Sequence, residues 1–94
     1  MRIRNIAFAA AGTTEEIDFD LINIRGHAVS WSVFYKTTSG THSTTVEVSP
    51  DGTNWYTLGS AITTTSIVAQ TTKAFRVRFV VTGTNPVGSI QVVW

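Results

Sequence analysis

The sequence predicts an all-β protein, an antiparallel β-sandwich of about eight short strands. Apolar and polar residues alternate along most segments, which places every second side chain on the same face of a strand. Turn-forming residues separate these segments at spacings of about 10 residues. Thr and Ser are abundant while Leu is confined to Leu21 and Leu58, a composition that favours strands over helices.

Length, charge and cysteine content limit the possible functions. The chain has 94 residues, the size of one domain, and we expect residues 1–94 to form a single sandwich. It contains no cysteine, so its stability must come from the apolar core, aided by self-association. The net charge is +1 and no two Lys or Arg residues are adjacent, which argues against a nucleic-acid partner. No segment approaches the ~20 apolar residues of a membrane span, so we also expect no membrane partner.

The first strands are predicted from residues 2–10 and 16–21. In residues 2–10 the apolar phase changes, because Ile6 and Phe8 fall on the face of the preceding arginines, and this change predicts a bulge or an edge strand. Residues 16–21 alternate strictly, with Ile17, Phe19 and Leu21 inward. Ile22 and Ile24 then take the opposite phase and are expected to face outward.

The longest predicted strand is residues 27–37, with Val29, Trp31, Val33 and Tyr35 on one face and Phe34 as an exception on the other. A turn at residues 38–40 follows, and we expect this strand to pair antiparallel with residues 42–49. Residues 44–58 predict a hairpin, because Ser49-Pro50-Asp51-Gly52 has the residue types of a tight turn. Trp55 and Tyr56 point to opposite faces, and Trp55 is expected to be the inward one.

The last third of the chain predicts three more strands. Residues 61–69 are rich in Thr and predict an edge strand with a loop. Residues 75–81 alternate, with Arg76 and Arg78 outward, and residues 89–94 form a closing strand.

Neither a metal site nor a catalytic site is predicted. Glu16, Asp18 and Asp20 share one strand face, where they are either calcium ligands or partners of arginines on a neighbouring strand. We favour the ion pairs, because calcium ligands cluster on a curved loop. His27 and His42 are expected at strand ends on the surface, and no serine lies in a nucleophile-elbow motif. We therefore expect no catalytic residues, no enzyme activity and no cofactor.

Two groups of residues remain as candidate binding sites. Asp51 and Asn54 suit sugar hydroxyls, with Trp55 or Tyr56 as a stacking platform, although Asp and Asn in such turns more often bind their own backbone. Arg76 and Arg78 suit carboxylates of a partner protein, although a solvated strand face is the more common reason for such arginines.

The second half of the chain resembles small structural proteins of tailed bacteriophages. The resemblance rests on a Ser-x-Asp-Gly-x-x-Trp hairpin and a later Arg-x-Arg strand, carried here by Ser49, Asp51, Gly52, Trp55, Arg76 and Arg78. The same features are similar to the second half of discoidin-type, galactose-binding-like domains, from which this chain differs in being shorter and lacking cysteine. Either resemblance implies a β-sandwich of the jelly-roll or galactose-binding-like kind.

The bacteriophage resemblance implies a capsid decoration or cement subunit that is made in the host cytoplasm and ends in the virion. Its partners would be the major capsid protein or other virion proteins, with a homo-oligomer, such as a trimer, as the binding form. The expected interface consists of Ile22, Ile24, Val80 and Val93 as apolar contacts, with Arg76, Arg78, Asp18 and Asp20 as rim charges. Two alternatives stay open: a tail or baseplate module, and a carbohydrate-binding module that uses Asp51, Asn54, Trp55 and Tyr56.

Overall fold

The protein folds into nine antiparallel strands, as seen in a computed structural model that describes residues 2–18, 29–72 and 76–94. The strands are β1 (Ile3–Phe8), β2 (Gly12–Thr13), β3 (Ile17–Asp18), β4 (Val29–Ser39), β5 (Ser43–Ser49), β6 (Tyr56–Thr57), β7 (Ser66–Thr72), β8 (Arg76–Thr82) and β9 (Val87–Val93). The described residues include no helix, and hence none long and apolar enough to cross a membrane. The predicted all-β class is confirmed.

The strands form two sheets. Sheet A has the order β1-β9-β4-β7, and sheet B has the order β2-β8-β5-β6, with β3 also paired to β8. β2 and β3 lie one after the other along the same edge of β8, with one extra residue on their side between the pairs Thr13↔Val80 and Ile17↔Val77. They are therefore two parts of one strand interrupted by a bulge.

The strand pairs are nested along the chain. β1 pairs with β9, β2 and β3 pair with β8, β4 pairs with β7, and β5 pairs with β6, with successive pairs placed in alternate sheets. When β2 and β3 are counted as one strand, this is the eight-stranded, double-sheet arrangement of a jelly roll. The fold is therefore an antiparallel β-sandwich of the jelly-roll kind.

The expected pairing of residues 27–37 with residues 42–49 is wrong. β4 lies in sheet A and β5 lies in sheet B, so the chain crosses between the sheets at the turn around Gly40. Gly40 has a φ of +79°, and a Cβ built on it would lie 2.1 Å from the backbone oxygen of Asn85. The Thr41 N–H donates to the Thr84 carbonyl at 3.0 Å. The turn is thus held against the β8–β9 connection and does not close a hairpin.

The core lies between the sheets and follows the predicted alternation. Its buried apolar members are Ile6, Ile17, Trp31, Val33, Tyr35, Val46, Ile62, Val77, Phe79, Val81, Ile90 and Val92. Burying each such side chain contributes roughly 1.5–3 kcal/mol. β1 and β7 are the edges of sheet A, which confirms the edge-strand interpretation of residues 2–10 and 61–69.

Several expectations concern residues outside the described ranges. These are the inward positions of Phe19 and Leu21, the acidic position Asp20, the interface positions Ile22 and Ile24, and His27.

Candidate functional site

The outward face of β8 presents two of the predicted partner-binding residues side by side. Val77, Phe79 and Val81 of this strand are buried in the core, so the alternating side chains of Arg76, Arg78 and Val80 lie on the outer face of sheet B. Strand β5 flanks β8 on one side and β2 and β3 flank it on the other. The structure therefore brings Arg76, Arg78 and Val80 together on one surface.

Arg78 is held by a carboxylate and an aromatic ring. Its Nε donates to Glu47 Oε1 at 2.8 Å, across the Arg78↔Glu47 pair of β8 and β5. Its guanidinium carbon lies 4.0 Å from the centre of the Trp55 ring, within the range of a cation–π contact. Arg78 is thus a fixed, half-buried part of the sheet surface.

Arg76 is paired with the carboxylates of Glu16 and Asp18. Its Nη1 donates to Glu16 Oε1 at 2.8 Å, and its Nε lies 3.9 Å from Asp18 Oδ2. Glu16 and Asp18 therefore face an arginine, as expected from cross-strand charge attraction. Within residues 2–18, 29–72 and 76–94, no group of three His, Cys, Asp or Glu side chains is placed to hold a metal ion.

The remaining interface candidates do not join this surface. Val93 is half-buried and lies on the outer face of sheet A, because its neighbours Ile90 and Val92 face the core. Val80 lies on the outer face of sheet B, across the sandwich. The predicted set is thus divided between two opposite faces of the molecule.

The loop of the β5–β6 hairpin uses its polar groups internally. The Asp51 carboxylate accepts hydrogen bonds from the backbone N–H groups of Asn54 and Thr53 at 2.8 Å each, from Asn54 Nδ2 at 2.8 Å and from Ser49 Oγ at 3.1 Å. These bonds, led by those from the Asn54 and Thr53 backbone, hold the pKa of Asp51 well below its usual value. Gly52, with a φ of +81°, donates its N–H to Ser49 Oγ at 2.7 Å. Asp51 and Asn54 thus build the turn.

The inward position expected for Trp55 is wrong. The register pairs Tyr56 with Val48, whose side chain packs against the core, and so places Trp55 on the opposite, outer face beside Arg78. Tyr56 lies on β6, the edge strand of sheet B, and 59% of it is exposed. The tryptophan that the core contains is Trp31.

His42 is buried, contrary to the expectation of a surface histidine, with 8% of it exposed. Its Nε2 lies 2.8 Å from the Ser39 carbonyl, an acceptor, so Nε2 carries the hydrogen. In neutral His42, Nδ1 then accepts from the Tyr35 hydroxyl at 3.0 Å. Tyr35 also shares a short hydrogen bond with Thr44 Oγ1, and the Phe8 ring lies 5.7 Å from the His42 ring.

This Tyr35–His42–Thr44 network is structural in character. Burial raises the pKa of Tyr35, an effect that the hydrogen bond from Thr44 partly opposes. Alternation along β4 placed Tyr35 inward, and Thr44 shares a face of β5 with the buried Val46, which was the available signal for a buried polar partner. The three groups satisfy one another inside the core, which does not provide the accessible acid–base pair that a catalytic site needs.

A groove on the outer face of sheet A was not predicted. It has a volume of about 580 Å³ and is lined by Asn5, Phe34, Tyr35, Lys36, Thr65, Ser66, Ile67, Ser89 and Gln91. Phe34, the exception in the alternation of its strand, is 38% exposed there, and Ile67 is 67% exposed. The outward phase of Phe34 was the one signal in the sequence for this surface.

Comparisons with known proteins give no independent guide to either surface. No protein-family model matches the chain, and a comparison with curated proteins returned no match.

Proposed function

We propose that this chain is a non-enzymatic virion structural protein, a decoration or cement subunit that binds the assembled head of a tailed bacteriophage. The nested strand pairing of a jelly roll carries the proposal, because viral capsid proteins and lectins share this architecture. That link is an analogy between folds. The likeness of the hairpin and the Arg-x-Arg strand to small phage proteins supplies the specific context.

The geometry of the phage-like motif is consistent with this proposal. Ser49, Asp51 and Gly52 fix the hairpin loop, and Trp55 stacks against Arg78 of the neighbouring strand. The motif therefore defines a rigid outer face of sheet B. A surface whose side chains are already fixed loses little conformational entropy when a partner binds.

The contact would be made by the outer face of sheet B. Val80 is half-buried between neighbouring strands, and the paired charges Arg76–Glu16 and Arg78–Glu47 lie on the same face. Apolar contacts within a polar surround are the usual composition of protein interfaces. A subunit that binds only the assembled head stabilises it by mass action, which requires no chemical step.

Co-sedimentation tests this proposal. Purified protein is mixed with empty heads of the virus that encodes it and, separately, with its unassembled capsid protein. We expect the wild-type chain to pellet with heads, and Val80→Asp to abolish pelleting because it places an unpaired charge in the contact. Ile67→Asp, on the other face of the sandwich, is the matched control and should pellet like the wild type. Absence of the wild-type chain from the head pellet would refute the proposal.

The same experiment separates the alternatives. Pelleting with isolated tails in place of heads would assign the chain to the tail or baseplate. Light scattering on the free and head-bound protein tests the proposed homo-oligomer.

The carbohydrate-binding alternative at the hairpin has lost much of its support, because the Asp51 and Asn54 side chains bind one another and the loop, and Arg78 covers one face of Trp55.

A further inference from the structure

The outer face of sheet A has a composition unlike that of sheet B. On sheet B, the outward arginines of β8 are paired with the carboxylates of Glu16, which precedes β3, and of Glu47 on β5. In the sheet A groove, Lys36 is the only charged residue among the described residues that line it. The two faces therefore suit different ligands.

The groove is organised around one row of side chains that crosses the whole sheet. Asn5 of β1 is paired with Gln91 of β9, Gln91 with Phe34 of β4, and Phe34 with Ile67 of β7. Adjacent strands lie about 4.8 Å apart, so the row is roughly 14 Å long. Half of it consists of amides and the other half of an exposed ring and an exposed aliphatic chain.

Hydroxyl groups and one ammonium group flank this row. Ser89 and Lys36 are paired with each other, two residues along their strands from the pair of Gln91 and Phe34. Thr65 and Ser66 close the groove beside Ile67, and the Thr65 hydroxyl, which accepts from the Thr37 N–H at 3.0 Å, fixes that side. The side-chain amides of Asn5 and Gln91 make no hydrogen bond within the described residues, so both side chains remain available to a ligand.

We propose that the sheet A groove is a binding site for a short neutral oligosaccharide. A sugar ring has an apolar face of C–H groups, which packs on an exposed aromatic ring such as Phe34. Its adjacent hydroxyls donate and accept hydrogen bonds, which matches the paired donors and acceptors of Asn5 and Gln91. The volume of about 580 Å³ lies within the range of roughly 300–1,000 Å³ that is typical of ligand sites.

The amides favour a sugar over a purely apolar partner. An apolar surface laid on this face would cover Asn5 and Gln91 and remove their hydration without supplying partners. The central row of the groove, Asn5, Gln91, Phe34 and Ile67, carries no charge, so a ligand that lies along it needs none. The inference goes beyond the proposed virion role and does not depend on it, because it uses the opposite face of the sandwich.

A glycan array followed by titration calorimetry tests the site. The probes are neutral oligosaccharides of glucose, galactose, mannose and their N-acetylated forms. We expect the wild-type chain to bind a subset of them, and Phe34→Ala to raise the Kd by about tenfold or more. A double substitution, Asn5→Ala with Gln91→Ala, should have a similar effect and removes only exposed side chains, so it tests the site even if Phe34→Ala fails to fold.

Tyr56→Ala is the matched control, because it removes an exposed aromatic ring at the hairpin. Binding retained in Tyr56→Ala and lost in the groove variants supports the proposal. Binding lost in Tyr56→Ala alone would assign the sugar to the hairpin and overturn it. Failure of the wild-type chain to bind any neutral glycan would also overturn it. So would a wild-type dimer that binds no glycan and becomes monomeric in Phe34→Ala, since the groove would then be a self-interface.

Discussion

Tyr35 brings a hydroxyl group into the core, and its partners explain how the core accommodates it. The hydroxyl binds His42 Nδ1 and Thr44 Oγ1, while His42 Nε2 donates to the Ser39 carbonyl. Buried polar groups cost little when they satisfy one another and much when one partner is removed. The hydroxyl also links β4 of sheet A to β5 of sheet B next to the crossing at Gly40. It therefore helps to hold the two sheets in register.

Tyr35→Phe should lower the free energy of unfolding by about 1–3 kcal/mol, because it leaves His42 Nδ1 and Thr44 Oγ1 buried with one partner fewer. Urea unfolding followed by circular dichroism measures the change. Tyr56→Phe removes the same hydroxyl from an exposed ring and should change stability by less than about 0.5 kcal/mol. Equal effects of the two substitutions would show that the network contributes nothing.

Asp51 should make the stability depend on pH in the acid range. Its hydrogen bonds lower its pKa in the folded state, so its contribution is complete above the unfolded value of about 3.9 and is lost as the pH falls toward the lower folded value. Asp51→Asn keeps an oxygen acceptor but does not titrate. The stability difference between wild type and Asp51→Asn should therefore be constant from pH 7 to about pH 5 and shrink below about pH 4. Urea unfolding across this pH series measures it, and a difference that grows on acidification would contradict the assignment.

At the scale of strands, alternation predicted which residues enter the core but not which strands are neighbours. Trp31, Val33 and Tyr35 are buried as expected, because period-two burial is a local property of a strand. The crossing at Gly40 was missed, because a turn sequence looks the same whether the chain returns to the same sheet or passes to the other one. Only the contact with Asn85, 45 residues away along the chain, decides between them.

The candidate sites were likewise predictable where they depend on local sequence, and unpredictable where they depend on which strands are neighbours. The turn chemistry of Asp51 follows from its local sequence, and the pairing of Glu16 and Asp18 with Arg76 follows from charge alternation. The sheet A groove depends on four strands from distant parts of the chain, and no local pattern connects Asn5, Phe34, Ile67 and Gln91. Likewise, the hairpin register, and not the presence of two aromatic residues, placed Trp55 outside.

Gly40→Ala should be strongly destabilising because two effects combine. The residue has a positive φ, which costs an alanine about 1–2 kcal/mol, and its Cβ would lie 2.1 Å from a backbone oxygen. Gly59→Ala is the control, because Gly59 has a φ of +74° but its Cβ would meet nothing closer than Gln70 Nε2 at 3.8 Å. In thermal and urea unfolding, we expect Gly59→Ala to cost about 1–2 kcal/mol and Gly40→Ala clearly more. Equal losses would mean that the turn at Gly40 does not pack as described.

Across the whole molecule, nested pairing makes each sheet depend on distant parts of the chain. Sheet A joins β1 and β9, from the two ends of the described chain, and sheet B joins β2 and β3 with β8. The pairing of Ile6 with Ile90 and of Ile17 with Val77 crosses most of the sequence. Neither sheet is formed by a contiguous segment, so neither is complete while the other half of the chain is unfolded. Small domains with this dependence unfold in one cooperative step.

Ile90→Ala tests this dependence, because Ile90 is fully buried on β9 between β1 and β4. Removing its side chain should lower the free energy of unfolding by about 2–5 kcal/mol, whereas Gln91→Ala, on the exposed side of the same strand, should change it by less than about 0.5 kcal/mol. Tryptophan fluorescence sums Trp31 of sheet A, Trp55 beside sheet B and Trp94 packed against the core, so it reports on both sheets together, with circular dichroism as the second probe. Sheet B cannot stay folded once sheet A has unfolded. Ile90→Ala should therefore lower the urea midpoints measured by fluorescence and by circular dichroism by the same amount. Separate midpoints for the two probes would mean that the sheets unfold independently, and the cooperative linkage inferred from the nested pairs would be wrong.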